Sequence, residues 1–191
     1  MMQSRGYLKT DPNMQRSGLT LNLGSGRDWR DDCVNMDINE NKNPDWHGDI
    51  CTIEWGQKIQ THAGEITVEP GIFTKILAQD VLEHVPDLVK CMRNCLDLLD
   101  VGGEMHIHVP YDLSLGAWQD PTHVRAFNEN SWVYYCAWHW YLDWKDFRFE
   151  MKYLEYRLSK YGESLELEQD ELLRTPRAVD SMYVVLRKIP V

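Results

Sequence analysis

The run Leu21-Asn22-Leu23-Gly24-Ser25-Gly26 limits most severely what this chain can become. The mostly apolar segment from Thr20 to Leu23 reads as the end of a buried strand over 19–23, and two glycines come directly after it. Glycine turns sharply and lets backbone come close to a bound group. A strand that feeds a glycine turn is where α/β folds place nucleotide-bearing ligands. Such turns are common, so the weight rests on the residues further along the chain and on their spacing from the glycines.

Cys33 to Ile38 reads as a second strand whose tip carries Asp37. In a nucleotide-binding sheet an aspartate there accepts hydrogen bonds from the ribose hydroxyls, roughly 20 residues beyond the glycines. Here the interval is shorter, so the connecting helix is expected to be a turn or two at most. Asp49 is expected at one end of a short strand, with its carboxylate against an adenine amino group and Ile50 against the ring; a cap or turn role is the alternative. A helix is expected over 53–62 and a loop over 64–71. A strand over 72–78 runs into Gln79 and Asp80, and Pro86-Asp87 opens a helix over 87–99 with apolar residues at helical spacing. Gly102 and Gly103 stop it, and a strand over 104–109 leads to Pro110-Tyr111-Asp112.

Strands separated by helical segments imply a mostly parallel sheet with helices on its faces, and ligands then bind beyond the carboxyl ends of the strands. Gly24, Asp37, Asp49, Asp80 and Tyr111 all fall at such ends. The 191-residue chain, 43% hydrophobic and 26% charged, suits one globular domain over 19–191 after a polar lead-in over 1–18. No apolar run reaches the roughly 18 residues of a membrane span, and a cytoplasmic location is expected. The net charge of −10 disfavours a nucleic-acid partner. The five cysteines are expected to be reduced, with Cys91 and Cys95 as small buried residues of the helix.

With these elements in order, the chain resembles class I S-adenosylmethionine (SAM)-dependent methyltransferases over about 19–110. Leu21 to Gly26 resembles their first motif and Val34-Asn35-Met36-Asp37-Ile38 their second-strand motif. Gln79-Asp80-Val81-Leu82-Glu83-His84-Val85 resembles the Leu-Glu-His segment after strand four, and Leu98-Leu99-Asp100-Val101-Gly102-Gly103 the glycine ending before strand five. Asn22 stands where many members carry an acidic residue. The resemblance implies a Rossmann-like doubly wound fold with an antiparallel C-terminal edge hairpin, here over 147–158 and 182–188. It also implies SAM as cofactor. The backbone of Gly24, Ser25 and Gly26 would face its methionine part, Asp37 would hold the ribose, Asp49 and Ile50 would flank the adenine, and Gln79 and Asp80 would line the methionine or acceptor side, with Leu23 and Ile38 also among the cofactor-binding residues.

The acceptor side is expected in 111–147, a lid whose aromatic helix carries Trp132, Tyr134, Tyr135, Trp138, Trp140, Tyr141 and Trp144. Those rings would build an acceptor pocket, pack on the sheet, or form a dimer contact; a monomer or a homodimer is expected. His123 and His84 are candidate bases. Tyr111, Trp118 and Arg125 are placed on the acceptor side, Arg125 either holding an anion or pinning the loop. His106 and His108 face one way on their strand. They could join His123 and Asp112 at a metal, but strand packing is preferred, and no metal is assigned. The expected activity is methyl transfer to a small, anionic or aromatic acceptor. The alternatives are a non-catalytic SAM- or partner-binding module and an NAD-dependent oxidoreductase.

Overall fold

The computed structural model describes residues 18–191; the expected lead-in therefore lies, but for Gly18, outside the described residues. A seven-stranded sheet is built from β1 (Thr20–Leu23), β2 (Val34–Asp37), β3 (Trp46–His47), β6 (Phe73–Gln79), β7 (Leu99–Pro110), β8 (Phe147–Leu158) and β9 (Val179–Pro190), with β4 (Lys58–Thr61) and β5 (Gly64–Thr67) set apart from it. The spatial order in the sheet is β3-β2-β1-β6-β7-β9-β8. The first five of these pair in parallel, and β9 runs antiparallel between β7 and β8, which closes the edge as expected. The core strands are apolar and buried, as parallel strands require: Leu21, Ile76, Ala78, Met105 and Ile107 are fully enclosed.

The helix expected over 87–99 is α1 (Leu88–Leu98), opened by the Asp87 carboxylate, which accepts from the Lys90 N–H. Its buried stripe of Leu88, Cys91, Met92, Cys95 and Leu96 packs into the core, while Val89 faces out at 45% exposure. Elsewhere the helical expectations fail. The segment expected as a helix over 53–62 contains strand β4, and β5 occupies part of the expected loop, the two making a separate antiparallel hairpin. The alternation of Ile59 and Thr61, both buried, is a two-residue period rather than a helical one. No helix joins β1 to β2; residues 24–33 are turns.

A parallel pair usually needs a crossover helix to cover the strands and occupy the connecting backbone. Here a buried polar knot takes that role. Asn35, fully buried on β2, accepts from the Arg30 N–H (2.9 Å) and the Asn22 amide (3.1 Å). Its own amide donates to the carbonyls of Arg30 (2.7 Å) and Cys33 (3.2 Å) and to Asp45 Oδ2 (3.0 Å). Asn22 also donates to the carbonyl of Asp28 at 2.6 Å. Asp45 accepts from the Asn35 N–H and, at the tip of the hairpin, from the His62 N–H and Nδ1. His62 Nε2 reaches the Asp31 carbonyl at 2.8 Å. Asn22, which departs from the acidic residue of the resembled motif, is thus part of what folds the helix-free crossover.

Burial works to raise the Asp45 pKa, but the Asn35 and His62 hydrogen bonds outweigh it and hold the carboxyl below its usual range. Burial likewise works to discharge His62, but the Asp31 carbonyl and the Asp45 carboxylate win and raise its pKa.

The knot has two testable consequences. Asn35→Ala strands several buried groups and is expected to cost about 2–3 kcal/mol in urea unfolding; a loss under about 0.5 kcal/mol would mean the crossover is held by other contacts. Because the His62 pKa is raised, its bond to Asp45 stabilises fully below the ordinary histidine value of about 6.5 and fades as pH rises through the raised one. The stability gap between wild type and His62→Gln is therefore expected to be widest at mildly acidic pH and to narrow toward about pH 9.

Candidate functional site

The carboxyl ends of β1, β2 and β6 surround a cleft of about 400 Å³. Of the expected cofactor residues, Leu23, Gly24, Asp37, Ile38, Asp49, Ile50 and Asp80 line it, and so does His84. Ser25, Gly26 and Gln79 do not; Ser25 is buried, and the Gly26 N–H is taken by Asp37.

Gly24 has φ +64°, and a Cβ there would stand 2.4 Å from Val81 Cγ2. Both the left-handed backbone and the close approach of β6's exit therefore demand glycine. The approach comes from register, since Leu23 pairs with Ala78. At the tip of β2, Asp37 Oδ2 accepts from the Gly26 N–H at 2.7 Å and Oδ1 from the Asn39 N–H at 2.8 Å. Each oxygen so braced keeps further acceptor capacity.

Asp49 is not in a strand. Its Oδ1 accepts from the Cys51 N–H at 2.8 Å and caps the 3-10 turn Ile50–Thr52. The capping alternative thus describes its backbone role, while the residue still lines the cleft. The carbonyl of Ile50 is held by the buried Asn94 of α1 at 2.6 Å. Asp80 sits at φ +51°, a left-handed conformation that aspartate tolerates at some cost. Its Oδ1 bonds His108 Nδ1 at 2.8 Å, and that bond raises the His108 pKa. Met36, Gly48, Val81, Val85 and Pro86 complete the lining. Met36 alternates with Asn35 along a strand already read from sequence; Val81 becomes a neighbour of Gly24 only through sheet pairing.

The acceptor-side expectations are redistributed. Tyr111 is buried, with its hydroxyl on Glu129 Oε2 (2.8 Å) and the Leu173 carbonyl, so it does not line the cleft. Trp118, on the short helix α2 (Gly116–Gln119), is 63% exposed and outside the lining. Arg125 donates to the carbonyls of Val85 (2.9 Å) and Pro86 (2.7 Å), which pins the loop to the cleft wall. The aromatic segment is not one helix but a series of tight turns around Glu129–Trp132 and His139–Leu142. Trp132, Tyr135 and Trp144 enter the core, whereas Tyr134, Trp138, Trp140 and Tyr141 form an exposed cluster. Tertiary packing overrides the local pattern here, because rings on several sides of such a segment cannot share one helical face.

The two candidate bases do come together. His84 and His123 lie edge to face with centroids 4.6 Å apart. His123 Nδ1 donates to the Ala117 carbonyl at 2.9 Å. The Thr122 hydroxyl donates to Asp120 at 2.6 Å and so accepts from His84 Nδ1 at 2.9 Å. Beside them Glu83 is 1% exposed, and neither of its carboxylate oxygens has a hydrogen-bond partner among the described residues. Burial pushes its pKa up to about 7. The other grouping weighed from sequence is not assembled: His106 bonds the Tyr183 hydroxyl, His108 bonds Asp80 and Ser181, and Asp112 accepts from Asn128.

No family model and no curated protein matches the chain. Solved structures do. A SAM-dependent methyltransferase from Archaeoglobus fulgidus superposes with TM-score 0.58 at 13% identity, covering 91% of this chain and 87% of its own. A SAM-dependent methyltransferase from Methanosarcina mazei gives TM-score 0.56 at 13% identity over 95% and 99%. The cyclase SpnF gives 0.58 at 13% over 92% and 76%. The chain has the fold of class I SAM-dependent methyltransferases. That fold also carries an enzyme named for cyclisation, so activity has to be read from the site. Among the described residues no helix is long and apolar enough to cross a membrane.

Gly24→Ala is expected to cost about 2–4 kcal/mol, from a strained φ and the clash with Val81. In a Val81→Ala background the clash is relieved, and a double-mutant cycle is expected to return at least about 1 kcal/mol of coupling. Additive losses would show that the close approach is not what requires glycine.

Proposed function

We propose that the protein binds SAM in this cleft and transfers its methyl group to a small-molecule acceptor. The observation that carries the reading is the Asp37 carboxylate. It is braced by the Gly26 and Asn39 N–H groups and presented beside a Gly24 turn that admits no side chain. A carboxylate so oriented fits a vicinal diol, and the bare backbone at Gly24 is open to a ligand's polar end.

The cofactor would supply a methyl already activated on a sulfonium, so the chain's task is mainly alignment. Asp37 would hold the ribose, and Asp49 and Ile50 would flank the adenine, with Asn94 fixing the Ile50 turn. Asp80 would place negative charge near the cationic end. His84 lines the cleft and His123 packs against His84, so both imidazoles would lie on the acceptor side. A small acceptor suits the net charge of −10, which opposes a polyanion. The cyclase among the fold neighbours favours one competing reading, in which the fold binds its ligand without transferring methyl.

Calorimetric titration of SAM into wild type is expected to give one site, with binding roughly 10- to 100-fold weaker in Asp37→Ala as charged hydrogen bonds are lost. Asp37→Asn, which keeps one acceptor oxygen, is expected to fall between. Absence of SAM binding by wild type, or equal binding by Asp37→Ala, overturns the reading. SAM binding without methyl turnover across an acceptor panel would favour the non-transferring alternative.

A further inference from the structure

We propose that Glu83, His84 and His123 form a divalent-metal site of the two-histidine, one-carboxylate kind at the edge of the cleft. Each offers a ligand atom, and these atoms lie within 4.8 Å of one another. Three further observations point to an ion rather than to packing.

The first is Glu83. A buried carboxylate with both oxygens unpartnered is costly, and a cation beside it removes that cost. The second is the orientation of the imidazoles. Each ring donates Nδ1–H to an oxygen, His123 to the Ala117 carbonyl and His84 to the Thr122 hydroxyl, itself turned by Asp120. That leaves Nε2 of each ring as the nitrogen that carries a lone pair and has no partner among the described residues. Outer hydrogen bonds that fix the tautomer in this way accompany metal-bound histidine. The third is the bracing of the two segments that supply the ligands. The Val124 N–H donates to the Glu83 carbonyl at 2.9 Å, and Arg125 holds the carbonyls of Val85 and Pro86. The ligands from 83–84 and from 123 are therefore held together before any ion arrives.

The donor set of two imidazoles and one carboxylate suits a borderline divalent ion, Zn²⁺ or its neighbours Co²⁺, Fe²⁺ and Mn²⁺, more than Mg²⁺. Three protein ligands leave coordination positions open. Because His84 also lines the cleft, those positions would suit an acceptor that ligates through oxygen, a hydroxyl or a carboxylate. This last step rests on the methyl-transfer reading; the metal site itself does not.

The test titrates Zn²⁺ into the untagged full chain after EDTA treatment, with Co²⁺ as a spectroscopic probe. One equivalent is expected to bind, with visible d–d bands and no sulfur-to-cobalt charge transfer. Glu83→Gln and His123→Asn are each expected to weaken binding at least about 100-fold, and Thr122→Val, which frees the His84 ring, about 10-fold. Thermal melts of the metal-free variants would show that they fold. No stoichiometric uptake by wild type, uptake unchanged in His123→Asn, or a thiolate charge-transfer band from the free cysteines would each overturn the site. SAM titrated into the metal-free protein reads the cofactor separately, so that loss of one result does not imply loss of the other.

Discussion

The architecture depends on one buried set of hydrogen bonds, in which Asn22, Asn35 and Asp45 tie β1, β2 and the approach to β3 together. Two parallel strands joined by turns alone leave backbone donors and acceptors that a crossover helix would otherwise satisfy. Buried polar groups must find partners, and here an asparagine side chain on one strand does so for the turn that leads into it. The hairpin β4–β5 is part of the same arrangement, because His62 at its tip closes on Asp45 and Asp31. An element that lies outside the main sheet is in this way anchored to the sheet's interior.

The cleft inherits its geometry from that knot. With the crossover short and cross-linked, the Gly26 N–H is brought within 2.7 Å of Asp37, and the glycine turn and the strand-two carboxylate become one unit. The parallel pairing of β1 with β6 then sets Val81 against Gly24, and the end of β6 leaves Asp80 in a left-handed conformation beside His108. Three strand ends therefore converge on one space through strand pairing and the cross-linked turn.

The segment after β7 supplies no residue to the lining of the cleft and braces its wall by a different means. It forms no long helix and commits its polar groups to the wall: Val124 to the Glu83 carbonyl, Arg125 to two further carbonyls, Thr122 to His84. Through Nη2 alone Arg125 holds two carbonyls, which clamps the loop to the wall. The same bracing brings His123 to His84 and leaves Glu83 enclosed without a hydrogen-bonding partner among the described residues.

By itself the sequence determined the parallel sheet, the helix from Leu88 to Leu98, the antiparallel closing edge and the row of polar residues at strand ends. These rest on local signals: short apolar runs, an N-cap, glycine turns and the two-residue alternation of strands. It also determined most of the cleft, because Gly24, Asp37, Asp49 and Asp80 are tied to strand ends by chain position. The tertiary structure decided what depends on neighbours distant in the chain. Asn22 became part of a crossover once Asn35 and Asp45 were beside it, and 58–67 became a hairpin whose tip had a carboxylate to meet. Tyr111 turned inward to Glu129, and the aromatic segment broke into turns that divide its rings between core and surface. The grouping of Glu83, His84 and His123 belongs to the same class: residues 83 and 123 meet only when the loop folds back across the strand ends, a contact that no local period or spacing encodes.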